Sequence, residues 1–84
     1  MQFFGKVLSE KSEKPPTACN GIIRLAIKDA NFNPEDINSK DLELVFRTSL
    51  KERLEKVGIP DAGSISKYML LELRKNQALF ILGV

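Results

Sequence analysis

The chain has 84 residues, with 13 Lys and Arg against 11 Asp and Glu, no His and one Cys. That length holds one small hydrophobic core. Without His and with a single Cys it lacks the side chains of a conventional His/Cys zinc site, an imidazole base and an internal disulfide, so most enzyme classes lose a principal residue.

The net charge of +2 is a small surplus and implies no nucleic acid by itself, because a binding domain shows a clustered basic face. No apolar run approaches the roughly 20 residues that span a bilayer, so no membrane partner is expected. The N-terminus also lacks the basic start, apolar run and small-residue cleavage site of a secretory signal. The lone Cys19 lies in an apolar stretch. It reads as a small buried hydrophobe in a reducing compartment, which makes the cytoplasm the expected location.

Phe3, Phe4, Val7 and Leu8 recur at i, i+1, i+4 and i+5, which predicts a short amphipathic helix weakened by Gly5. Residues 9–14 read SEKSEK and are followed by Pro15-Pro16, so residues 9–16 are expected to be a linker. On this reading residues 1–14 form an N-terminal segment and residues 15–84 a helical domain.

Thr17 is the expected cap of a helix over residues 17–30, whose stripe is Cys19, Ile22, Ile23, Ala26, Ile27 and Ala30. Asn31-Phe32-Asn33 ends it, and Pro34 after Asn33 suits a single turn over residues 34–37. Asn38 or Ser39 then starts the longest expected helix, residues 40–57, with Leu42, Val45, Phe46, Leu50, Leu54 and Val57 on one face. Gly58 suits the left-handed position after a helix, with Ile59 folding back on Leu54 and Pro60 forbidding continuation. Ser64 is the expected cap of a last helix, residues 64–76 or longer, carrying Ile65, Tyr68, Met69, Leu70, Leu71 and Leu73. Residues 78–84 either continue that helix or form a strand pairing with residues 2–8; so short an apolar run does not distinguish the two. The fold class expected is all-α: a small bundle of three principal helices plus a short N-terminal helix packed across it or exchanged with a neighbour.

The chemistry-bearing patterns are sparse. Glu35 and Asp36 sit at a helix start, where carboxylates stabilise the dipole. Glu43, Arg47 and Lys51, with Glu52 and Lys56 beside them, read as a solvated face with i+4 ion pairs. There is no GxGxxG, GxxxxGK[ST], CxxC or GxSxG, so no cofactor, metal or catalytic residue is expected and the chain reads as a non-enzyme.

Two surfaces remain. Phe3, Phe4, Val7, Leu8, Leu79 and Phe80 are large apolar groups near the two ends of the sequence, where chains fray. They are the candidate partner surface, facing a protein partner or a second copy in a homodimer. The alternative is a small DNA-binding regulator using the helix from Ser64, with Ser64, Ser66, Lys67, Tyr68, Arg74 and Lys75 as nucleic-acid contacts.

Residues 21–75 hold IIRLAIKDANFNPEDI, a Phe-bearing helix ending LEKVGI, a short loop and ISKYMLLELRK. This stretch resembles the small all-helical output domains of archaeal signalling proteins. The resemblance implies a non-enzymatic module that receives a partner's signal.

Overall fold

Residues 2–76 are described by a computed structural model. Five helices succeed one another along the chain: α1 (Gln2–Ser12), α2 (Pro16–Asp29), α3 (Ser39–Arg47), α4 (Ser49–Lys56) and α5 (Ala62–Lys75). The described residues contain no strand, so the all-α expectation holds while the helix count differs. Residues 78–84 lie outside the described residues.

The helix ends obey local chemistry. Pro16, at the first position of α2, has no N–H to leave unsatisfied, and Pro15 precedes it in extended geometry as the cap. The expected cap Thr17 therefore lies inside the first turn. At the other end Asn31 is left-handed, with φ of +66°. Its N–H donates to the Lys28 carbonyl and the Phe32 N–H to Ile27, closing the helix in a Schellman arrangement. The α4 terminus repeats this with Gly58 at φ +78°. There Gly58 N–H bonds Glu55 and Ile59 N–H bonds Leu54, as the glycine and its neighbours predicted. Asn38 caps α3, its Oδ1 accepting from the Asp41 N–H at 2.8 Å. Between α2 and α3, residues 34–36 make the expected turn, in which the Asp36 N–H donates to the Asn33 carbonyl.

Three boundaries differ from the sequence reading. First, α1 runs through Ser12, so the connection to α2 is only Glu13 to Pro15. Glu10 and Lys11 are good helix formers, and nothing stops the helix before Glu13 turns left-handed. Second, the long helix is broken at Thr48, whose φ/ψ of −125°/−77° leave the α region. The Thr48 hydroxyl donates back to the Leu44 carbonyl at 2.9 Å, the local competition that Ser and Thr bring to helix interiors. Third, α5 begins at Ala62, behind a left-handed Asp61 that makes no side-chain cap. Ser64, expected as the cap, stands in the first turn.

A single core joins all five helices. Leu8, Ile23, Ile27, Leu42, Phe46, Leu50, Leu54, Met69 and Leu73 are fully enclosed, and Cys19 is buried among them as expected. The helix α1 packs on α2 and α5 of its own chain, burying Phe4, Val7 and Leu8. Two ion pairs tie the layers together at their edges. Arg53 of α4 forks onto Asp29 of α2 through Nε and Nη2, and Arg74 of α5 reaches Glu43 of α3 at 2.8 Å.

Candidate functional site

Of the expected partner surface, Phe4, Val7 and Leu8 belong to the core and Phe3 alone remains outside, 42% exposed. Leu79 and Phe80 lie outside the described residues. The separation between Phe3 and Phe4 is a matter of helix geometry: neighbours stand about 100° apart, so Phe4 faces inward and Phe3 flanks the buried stripe. The three aromatic rings form a ladder from surface to core. Phe3 meets Phe4 edge to face with centroids 5.1 Å apart, and Phe4 meets Phe46 likewise at 5.3 Å.

Beside Phe3 lies an open depression of about 480 Å³ walled by Lys6, Pro16, Thr17 and Asn20. It marks where α1 and α2 approach closely. A Cβ on Gly5 would overlap Asn20 Oδ1, so a larger residue there forces the Asn20 side chain to swing aside. Asn20 Oδ1 is buried there without a hydrogen-bond partner. The sequence reading missed this pair. Its only signal was a glycine in a helical stripe and a polar residue directly after the buried Cys19.

A second cleft of about 410 Å³ separates the end of α1 from the start of α5, lined by Lys11, Ser12, Glu13, Ile59, Pro60, Asp61, Ser64, Ile65 and Tyr68. The Lys11 ammonium sits 4.3 Å from the centroid of the Tyr68 ring. Interaction of the Tyr68 hydroxyl with Glu72 holds that phenol above its ordinary pKa, with lost solvation and the charges of Glu72 and Glu10 adding to the effect.

Of the expected nucleic-acid contacts, Ser64, Lys67, Tyr68, Arg74 and Lys75 share one side of α5 by their helical spacing and Ser66 does not. Ser64 and Lys67 point outward, but Ser66 is buried with its Oγ unpartnered. Tyr68 is half-buried against the core. The Arg74 guanidinium is held by Glu43, and Lys75 stands 3.8 Å from Glu72 on its own helix. The outward face of α5 also carries Leu71, 52% exposed, at a position where a recognition helix would present a polar reader.

The remaining charged groups serve the scaffold. Glu43 pairs with Arg74 of α5, and the break at Thr48 takes Lys51 onto a separate helix from Glu43 and Arg47. Glu35 accepts from Arg24 at 2.7 Å, and this hydrogen bond together with the Arg24 charge holds its carboxyl below the usual range. Among the described residues no three Cys, Asp or Glu side chains gather where they could hold a metal ion. No described helix is long and apolar enough to cross a membrane.

No protein-family model matches the chain, and no curated protein and no solved structure matches it either.

Proposed function

We propose that this domain is a non-enzymatic interaction module that receives a protein partner along the edge formed by Phe3 and the depression beside it. The observation that supports this most directly is the ladder Phe3–Phe4–Phe46. A partner's apolar side chain seated on Phe3 would extend the core outward, with rings already held in place by packing, so little ordering is left to offset the contact. The role resembles that of the signalling output domains whose hydrophobic spacing the sequence shares. Two further features favour docking over chemistry. The carboxylates and guanidinium groups that meet each other do so in structural pairs, two between helices and one between α2 and the 34–36 turn, and the basic residues of α5 are divided between ion pairs and solvent.

The test is site-specific photo-crosslinking in cells that make the protein, with the crosslinker placed at position 3 or at position 67. Docking along the Phe3 edge gives protein adducts from position 3 that disappear with excess partner, and little from position 67. Adducts to nucleic acid from position 67, with a duplex affinity tighter than micromolar that falls steeply with salt, would replace this reading by DNA binding through α5.

A further inference from the structure

The depression beside Phe3 has walls of two kinds. Phe3 and Pro16 give it apolar surface, while Lys6, Thr17 and Asn20 give it polar groups. Each of the three polar side chains can donate a hydrogen bond there. Asn20 Oδ1 is buried against Gly5, so the end of the amide left to a ligand is Nδ2 with its two hydrogens. Lys6 is exposed, and among the described residues it makes no ion pair, not even with Glu10 one turn further along α1. No carboxylate stands in these walls, and the first turn of α2, which supplies Pro16 and Thr17, carries none either. The cleft at Tyr68 differs in this respect, because Glu13 and Asp61 line it together with Lys11. Of the two hollows, the one at Phe3 therefore joins an exposed aromatic ring to a positive charge that nothing in its walls offsets.

We infer that the partner received here is an acidic amphipathic peptide segment, one that presents a carboxylate beside a large apolar side chain. The apolar group lies on Phe3 and Pro16, and the carboxylate accepts from the Lys6 ammonium and the Asn20 amide. This rests on the docking reading above and adds to it the chemistry of the partner. Apolar contact alone would admit any hydrophobic segment. Lys6 supplies the discrimination, since a basic residue brought to the same place meets an unpaired like charge. A single ammonium among apolar walls also suits one carboxylate and not the run of phosphates in a nucleic acid, which calls for a clustered basic face.

The experiment is a nuclear magnetic resonance titration of the full chain with three synthetic peptides of equal length, built from Leu and Asp, from Leu and Lys, and from Ser and Asp. It is read at the Phe3 ring, the Lys6 backbone N–H and the Asn20 side-chain amide. The Leu and Asp peptide is expected to shift all three signals and to bind roughly two- to tenfold more tightly than the Leu and Lys peptide. That gap should close as salt is raised and in Lys6→Gln, and the Ser and Asp peptide should bind weakest. Equal binding of the two Leu peptides, or a gap that persists in Lys6→Gln, would overturn the inference while leaving docking at Phe3 standing. Binding of the Ser and Asp peptide as tight as that of the Leu and Asp peptide would overturn it in favour of a plain anion site. Shifts of the same signals with protein concentration alone would overturn it by making a second copy the occupant. Shifts at Tyr68 in place of Phe3, or none from any peptide, would overturn it together with the choice of the Phe3 edge.

Discussion

Gly5 offers the sharpest test of the packing. In a helix interior Gly→Ala ordinarily stabilises by about 1 kcal/mol, through the lower backbone entropy of alanine in the unfolded chain. Here the new Cβ would overlap Asn20 Oδ1 and fall 2.6 Å from Asn20 Cγ, well inside contact distance, so Asn20 has to swing away or α1 has to lift from α2. Overpacking of this kind costs about 1–3 kcal/mol, and Gly5→Ala is expected to be net destabilising by up to about 2 kcal/mol after the propensity gain is subtracted. Asn20→Ala removes the opposing atoms together with a buried oxygen that has no partner. In that background Gly5→Ala should recover its gain of about 1 kcal/mol. The two substitutions are thus coupled by about 1–3 kcal/mol, measured as a double-mutant cycle from urea unfolding midpoints with an unchanged m-value. Equal stabilisation by Gly5→Ala in both backgrounds would refute the idea that packing holds the Asn20 side chain against Gly5.

Other substitutions probe separate parts of the same packing. Gly58→Ala places a Cβ at φ +78° and is expected to lower stability by about 1 kcal/mol, seen as a lower melting temperature. Ser66→Ala deletes a buried hydroxyl without a partner and should raise stability by about 1 kcal/mol in urea unfolding. The same variant should leave any duplex binding unchanged. Because Glu35 titrates below its unfolded value in the folded chain, the Arg24 pair adds stability above the unfolded carboxyl pKa and loses it as pH falls through the folded one. Carboxyl chemical shifts should show the Glu35 midpoint returning to the ordinary range in Arg24→Gln.

How far the sequence reaches differs from element to element. Asn38 and Gly58 were readable because each acts through its own backbone neighbours: an Asx side chain meets a free N–H, and a glycine accepts a left-handed φ. The start of α5 was not readable, since Ser64 is as good a local cap as any and only the packing of Ala62 and Ile65 draws the helix back to Asp61. The extension of α1 through Ser12 was hidden for a related reason. Ser9 to Ser12 carry no apolar period, and the contacts at this turn include the Lys11 ammonium over a ring 57 residues away in sequence and Ser12 Oγ beside Cys19 Sγ. In the candidate site Phe3, Phe4, Val7 and Leu8 could be identified as apolar groups needing cover, whereas which of them is buried depends on how α1 packs on α2 and α5, which no local pattern announces.

The break at Thr48 shows what a pattern of apolar residues implies when its period is taken literally. Leu42, Phe46, Leu50 and Leu54 repeat every four residues and all four are fully buried. In a straight helix of 3.6 residues per turn each such step advances the stripe by about 40°, so Leu54 would point about 120° away from Leu42. A continuous helix over residues 40–57 would have to face two different walls of the core along its length. The chain instead divides at Thr48 into α3, which packs on α5, and α4, which packs on both α2 and α5. Each half then aims its own short stripe inward. The ion pairs record the same division, Glu43 to Arg74 on one side of the break and Arg53 to Asp29 on the other. A strict four-residue repeat over three turns, interrupted by Thr-Ser, is thus a sequence mark of a helix that must bend to bury itself. Phe46 stands at the end of α3 just before the break, where it meets Phe4 and joins the core to the aromatic ladder that reaches the surface at Phe3.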